Sequence, residues 1–327
     1  MNTLASVFSA ACGAVRDRMK KNYYSSRIED SPQFTAKSFD ICRSIIVVLL
    51  LLGIILPQNA IGEEKPLWEL GIGAGILYMP DYRGSDESRL YALPYPYVVY
   101  RGGMLKIDKQ RISGQIFKTD RVLLDFSGFG AVPVKSSNNS ARAGMPDLDP
   151  TFELGPALRI NIMESRADGY KLSLAVPVRA FFSTDFSSVR REGWVFSPRV
   201  NFEKIDVIAQ TGLNLGISAG PMFNDSSYNT YFYTVEPAYA TATRPAYSAG
   251  GGYGGSTITV GLSKEYKQFI FNAFVSADFL RGAVFEDSPL VKTKTSLMSG
   301  FSVSWIFLKS TKKVAVDDDI GYGKNAK

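Results

Sequence analysis

The run from Thr151 to Phe182 leaves the chain few ways to fold. In TFELGPALRINIM, Phe152, Leu154, Pro156, Leu158, Ile160 and Ile162 share one face, and Glu153, Gly155, Ala157, Arg159 and Asn161 share the other. After ESRADG the pattern returns. Tyr170, Leu172, Leu174, Val176, Val178, Ala180 and Phe182 lie opposite Lys171, Ser173, Ala175 and Arg179. A period of two sustained this long specifies strands, because successive strand side chains point to opposite faces. Both runs exceed the usual strand of about five or six residues and suit a membrane-crossing strand of roughly nine to eleven. Asp168-Gly169 in the polar link makes them a hairpin. A continuous apolar face backed by small and charged residues is what a lipid-facing barrel wall around a polar lumen requires.

The same reading extends along the chain. Strands are expected at Leu67–Tyr78, Tyr91–Arg101, Met104–Asp108, Arg111–Phe117, Arg121–Val134, the two runs above, Trp194–Ile205, Val207–Phe223, Tyr253–Tyr266, Phe269–Leu280 and Ser296–Phe307. Pro94 and Pro96 give no ladder donors, so the second strand is expected to be bent or partly unpaired. The links at 80–89, 136–150, 183–193, 224–251 and 281–291 are long and polar, and the links between them are short. Outer-membrane barrels have this asymmetry, with short periplasmic turns and long outer loops. The fold class is therefore all-β, a transmembrane antiparallel β-barrel of about twelve strands. Ten is the alternative, should the weak pair at 104–117 lie outside the wall.

Upstream of the strands, residues 45–56 read IIVVLLLLGIIL, with Lys37 and Arg43 before them and Ala60-Ile61-Gly62 after. A basic flank, a short apolar run and a small-x-small site form a cleavable export signal. A membrane anchor would need about eighteen or more apolar residues. The chain thus divides into a long leader (1–62), a barrel (63–307) and a polar periplasmic tail (308–327). Met19-Lys20-Lys21 offers a more ordinary start for the leader than Met1.

Composition narrows the chemistry. The chain has no histidine, which removes histidine bases, Ser-His triads and the commonest metal ligand. Its two cysteines, Cys12 and Cys42, both fall in the leader, so the exported chain carries no disulfide and no thiol site. Half of the net charge of +6 sits in the leader, and a nearly neutral barrel gives no footing for nucleic-acid binding. The inward faces carry Glu69, Asp125, Glu153, Arg159, Lys171, Arg179, Arg199, Glu203 and Asp278. Mixed charges inside a narrow barrel are expected to neutralise one another, and they form no set of nucleophile, base and orienter. Asp81, Arg83, Asp86 and Arg89 crowd the first outer loop, where solvation is expected. Gly71–Gly75 and Gly250–Gly255 lead into strands and not helices, so neither cradles phosphate. No catalytic, cofactor or metal residue is assigned, and no enzyme activity is expected.

Several blocks resemble the MipA/OmpV family of MltA-interacting proteins. They are Tyr82-Arg83-Gly84-Ser85-Asp86-Glu87 with Leu93-Pro94-Tyr95; Gly144-Met145-Pro146-Asp147-Leu148-Asp149-Pro150 with Phe152-Glu153-Leu154-Gly155; Tyr231-Phe232-Tyr233-Thr234-Val235 with Pro245-Ala246-Tyr247-Ser248-Ala249-Gly250-Gly251; and Asp287-Ser288-Pro289-Leu290-Val291. The resemblance spans the exported chain in order and implies an outer-membrane protein. It also implies a scaffold that brings a lytic murein transglycosylase to a bifunctional penicillin-binding protein. Other members are linked with adhesion or osmotic response. Members end on the aromatic residue of the last strand, whereas here Phe307 is followed by Leu308 to Lys327. Three functions remain open: a scaffold, a passive pore for small solutes, and an adhesin acting through the outer loops.

Protein purified from outer membranes is expected to begin at Glu63. N-terminal sequencing checks this, and retention of residues 45–62 would make that segment an anchor instead.

Overall fold

The computed structural model describes residues 65–102, 105–107, 112–114, 117–119, 121–165 and 167–314. The expected leader 1–62, with its apolar run and both cysteines, lies outside the described residues, as do positions 315–327.

The strands are β1 (Lys65–Pro66), β2 (Trp68–Pro80), β3 (Ser88–Arg101), β4 (Leu105–Ile107), β5 (Ile112–Gly114), β6 (Phe117–Lys118), β7 (Val122–Ala131), β8 (Thr151–Ser165), β9 (Tyr170–Thr184), β10 (Val189–Phe196), β11 (Arg199–Lys204), β12 (Leu213–Asn224), β13 (Gly252–Tyr266), β14 (Phe269–Phe279), β15 (Thr295–Lys309) and β16 (Lys313–Val314). One eight-residue helix, α1 (Ser226–Tyr233), lies between β12 and β13. Among the described residues no helix is long and apolar enough to cross a membrane. The crossing is made by strands.

Fourteen strands, β2 to β15, form one antiparallel sheet in which sequence neighbours pair. β10 and β11 lie on one run of chain, both paired with β9 and β12, whereas β4, β5 and β6 are only two or three residues long. β15 pairs with β2 from Ser299↔Tyr78 to Lys309↔Glu69 and joins the two ends of the meander. On the far side, β5 pairs with β4 and β6 pairs with β7. β5 also lies against β7, which brings the two ends of the sheet order together. Closure matters because lipid offers no partner for an open sheet edge.

The hairpin expected at Thr151–Phe182 forms as β8 and β9, in register from Thr151↔Ser183 to Ser165↔Tyr170 with one bulge near Asn161. Alternation then sorts the side chains. Ile72, Leu154, Val178, Val200, Ile258 and Val260 lie on the outer face with at least 41% of their surface exposed, which is the surface that lipid covers. Glu69, Asp125, Glu153, Lys171 and Arg179 are buried on the inner face. Pro94 and Pro96 pair without a register shift against Ala74 and Ile72 of β2. On its other side β3 pairs with β4, among the described residues, at Tyr100 and Arg101, and a missing proline donor costs little wherever a strand has no ladder partner.

Several boundaries differ from the sequence reading. The loop expected at 183–193 is mostly strand, because β9 runs to Thr184 and β10 begins at Val189. The tip between them is set by Asp185, whose carboxylate accepts from the backbone of Ser187 and Ser188 and from both hydroxyls. Those hydrogen bonds, the Ser187 hydroxyl first, hold the Asp185 carboxyl well below the usual range. The strand expected from Val207 begins only at Leu213, because Asp206 accepts from the N–H groups of Gln210, Thr211 and Gly212 and folds 206–212 into a turn. The run expected at 194–205 is split at Ser197-Pro198, and β7 stops at Ala131, two residues before Pro133. The expected tail starts later than Leu308. Leu308 and Lys309 complete β15, and Lys313–Val314 pair with Lys65–Pro66.

The inner wall is tight where strands β11 and β12 meet. A Cβ on Gly220 would lie 2.0 Å from the Pro198 carbonyl oxygen, whereas one on Gly216 would meet nothing within 4 Å. Gly220→Ala is expected to cost about 1–3 kcal/mol through overpacking against backbone, and Gly216→Ala about zero. The midpoint of heat-modifiable migration of the two variants measures the difference.

Candidate functional site, a capped lumen

The inner face brings most of the expected charges together as pairs. Arg159 Nε donates to Asp125 Oδ2 at 3.0 Å, with the Asp125 side chain fully buried. Arg179 Nε donates to Glu153 Oε2 at 2.8 Å, and its Nη2 donates to Ser197 Oγ at 2.9 Å. Arg199 reaches the same hydroxyl at 3.5 Å. Lys171 and Glu203 stand opposite each other in the β9–β11 register. Glu69 accepts from Arg101 Nη2 at 3.1 Å beside Tyr97. A small apolar cluster of Tyr97, Val99, Ile270 and Ile306 fills the lumen on that side. These pairs satisfy charges that would be costly to bury alone.

Asp278 has a partner that the sequence placed elsewhere. Arg83, expected in a solvated loop, turns into the mouth of the lumen. Its Nε lies 3.3 Å from Asp278 Oδ1, and its Nη1 donates to the Gly254 carbonyl at 2.9 Å. Asp81 is also withdrawn from solvent, accepting from Arg89 Nε at 2.6 Å and from Asn139 Nδ2 at 2.9 Å. Only Asp86 of that group stays exposed.

Above these pairs the long outer loops form a second core. Tyr82, Val134, Ala141, Leu148, Tyr233, Val235, Ala249, Leu280, Ala283, Phe285 and Leu290 pack as one buried cluster. Its members come from the loops after β2, β7, β12 and β14. In the sheet order, β9 to β13 lie between the β7–β8 and β14–β15 pairs on one side and β2 to β6 on the other, so the cluster joins opposite walls and spans the mouth. The centre is the Tyr233–Phe285 stack at 3.7 Å between ring centroids. The Tyr233 hydroxyl donates to the Arg83 carbonyl and the Tyr82 hydroxyl to the Leu290 carbonyl, at 3.0 and 2.8 Å. Burial pushes the Tyr82, Tyr228 and Tyr233 phenols well above their ordinary value, and Tyr231 is pushed up to about 12. All four stay protonated donors at physiological pH.

Two arginines staple the loops through carbonyl oxygens. Arg142 Nη1 donates to Phe232 O, and Arg244 Nη1 donates to Ala141 O and Ala143 O. Both residues are buried, and their forks satisfy loop carbonyls that no ladder reaches.

Helix α1 seats this cap in the barrel. Asp225 caps it by accepting from the Tyr228 N–H at 2.9 Å. Tyr228 packs at 4.5 Å between centroids on Phe181, an inward residue of β9. Val195 of β10 joins them in a further buried cluster. Sequence reading took 224–251 as loop, because a short aromatic helix in a mouth shows no amphipathic period. Three of its aromatics sit in a family-like block, as do Tyr82, Leu148, Val235, Ala249 and Leu290. Much of what carries the resemblance lies in the cap, while Leu93-Pro94-Tyr95 and Phe152–Gly155 belong to wall strands β3 and β8.

No curated protein matches the sequence. Among solved structures, a "Bacterial polysaccharide outer membrane secretin" is 9% identical with a TM-score of 0.38, covering 75% of this chain and 100% of that one. Outer membrane phospholipase A from Escherichia coli is 10% identical with a TM-score of 0.33, covering 74% and 98%. OprB from Pseudomonas putida is 9% identical with a TM-score of 0.33, covering 66% and 49%. At such scores these overlaps carry no argument. The family described as MltA-interacting protein MipA matches residues 72–307, through every wall-crossing strand and all four loops of the cap. The chain belongs to that family, as an outer-membrane β-barrel.

Proposed function

We propose that the protein is a non-enzymatic scaffold of the outer membrane. It would hold a lytic murein transglycosylase from the periplasmic side and bring it to a bifunctional penicillin-binding protein. The family description, an MltA-interacting protein, supplies the first partner. The observation that carries the reading is the cap. A core built by loops from opposite walls lies across the outer mouth, which weighs against a passive pore and moves function to the exposed surfaces. The inner carboxylates support a structural role, since Asp125, Glu153, Glu69 and Asp278 each face an arginine.

The periplasmic surface has fixed features for such a contact. The 206–212 turn is held by Asp206 and presents Val207 and Ile208 with more than a third of their surface exposed. The β1–β16 pair brings both ends of the barrel chain to one place. An export signal in 1–62 remains part of the proposal.

Planar-bilayer recording decides between scaffold and pore. The full-length protein is expected to be silent. Tyr233→Ala removes the stacked centre of the cap and is expected to destabilise it by about 3–5 kcal/mol. Discrete openings and protease cleavage within 225–251 should then appear together. Openings in the unmodified protein would favour the pore. Immobilised barrel should retain a purified lytic transglycosylase whether or not the cap is intact, and failure to retain it would remove the scaffold.

A further inference from the structure

The outer rim of the β9–β10 hairpin carries an unexplained cation. Residues directly opposite in a ladder share a face, and here the faces are known. Val178 is on the outer, lipid side, as are Ala180 and Phe182 in step with it, while Phe181 and Ser183 are buried inside. Arg191 stands opposite Phe182 and therefore faces outward, while Arg190 stands opposite Ser183 and turns inward. A bulge between Arg191 and Gly193 produces this arrangement. Trp194, opposite Ala180, is also outward. Without the extra residue, alternation from Trp194 would put Glu192 and Arg190 on the lipid side. The bulge exchanges an acid for a base there, and Glu192 instead accepts from the inward Ser183 hydroxyl at 2.6 Å. Bulges re-aim side chains in this way.

The bulge is fixed by the cap. Gly193 has φ +144°, and a Cβ there would lie 2.3 Å from Asp225 Oδ1 and 2.6 Å from the Tyr228 nitrogen. Only glycine fits under the first turn of α1.

The height of Arg191 is fixed by the aromatic girdles. Tyr170 stacks with Phe202 at one end of β9, and Phe182 stacks with Phe152 at the other. Twelve residues at about 3.4 Å each, tilted by about 40°, separate these levels by roughly 30 Å, close to the apolar band of about 25 Å. Arg191, level with Phe182, thus sits where the outer-leaflet headgroups begin. Its guanidinium lies 5.3 Å from the Trp194 ring centroid. The ion pairs in this hairpin go to Arg190, which meets Asp149 at 2.6 Å and Glu192 at 3.4 Å. Among the described residues Arg191 has no carboxylate partner.

We propose that Arg191 and Trp194 form a binding site for a phosphate on the headgroup of an outer-leaflet glycolipid. The outward leaflet of such membranes is rich in phosphate-bearing glycolipid. An arginine fork matches phosphate bidentately, and an interfacial tryptophan supplies a surface for the first carbons of the acyl chains. Arg191 and Trp194 stack against one another and present both functions on one side of the wall.

The test uses full-length protein in a non-ionic detergent, with heat-modifiable migration confirming that each variant is folded. The probe is lipopolysaccharide bearing both lipid A phosphates, compared with the same material after enzymatic dephosphorylation. The phosphorylated form is expected to bind more tightly. Arg191→Gln should weaken it by about fivefold, the worth of one basic residue at an anionic surface. Arg191→Lys should fall between, keeping the charge and losing the fork. Lys294→Gln, at a rim lysine already paired with Glu286, should change nothing. Equal binding by Arg191→Gln, or equal binding of the dephosphorylated probe, would overturn the proposal. So would displacement of the probe by an equal concentration of inorganic phosphate, which would make this a site for free anions. A dimer lost in Arg191→Gln without any difference between the probes would assign the surface to a second copy instead.

Discussion

A strand edge in hydrocarbon has no partner for its N–H and C=O groups, and each unsatisfied group costs several kcal/mol. This requirement organises the rest of the molecule. It forces the meander to return on itself through β15 and β2, which pair along nearly the whole wall. It also explains the far seam. Around β4, β5 and β6 the described ladders are two or three residues long, and β5 lies against β7 to bring the ends of the sheet together. Once the ring is closed, the inner face is confined. Charged residues on it can be retained only as pairs, and the Arg159–Asp125 and Arg179–Glu153 pairs are the result.

Loops over the mouth meet a milder form of the same constraint. Their backbone is irregular and partly buried, so no ladder satisfies it. The protein answers with side chains. Arg142 and Arg244 donate to carbonyl oxygens on three different segments, and the Tyr82 and Tyr233 hydroxyls do the same. Arg83 links this layer to the wall below through Asp278. The cap is thus a polar framework around an aromatic centre, and its contacts order loops that would otherwise remain solvated.

What the sequence disclosed follows from the range of each signal. Alternation is local, so the wall was legible, down to the inward positions of Glu153 and Arg179. Where a strand leaves the lipid its outer face no longer needs apolar residues. For that reason Thr184 and Val189–Arg191 read as loop although they continue the β9–β10 ladder. The error at Val207 has another cause, since three apolar residues hid a turn built by one Asp206 carboxylate. The cap was not legible because its contacts are remote in sequence. Arg244 and Ala141 stand 103 positions apart, and nothing near Arg83 signals that it leaves its loop for Asp278. The one available clue was compositional. A loop as aromatic as Tyr228–Tyr233 is poorly suited to water and implied a buried partner.

The position of the family-like blocks separates two questions that the family description joins. Tyr82, Leu148, Tyr233, Val235 and Leu290 all lie in the cap, at the end of the barrel opposite the short turns. Their roles there are accounted for by packing and by the hydrogen bonds of the mouth. Such residues bear on why this chain forms a closed, capped barrel. They bear much less on which protein it would hold on the proposed reading, because no residue of the cap reaches the other membrane face. Partner choice on the proposed reading must reside in the short turns at that end, described at 167–169, 206–212 and 267–268, and in the β1–β16 pair. Those segments are short and constrained only by turn geometry, as at Gly169, Asp206 and Lys267 with their positive φ. Their side chains can change at little cost to the barrel. On the proposed reading the cap therefore maintains the closure and the exposed turns carry the recognition, so the two can be altered independently.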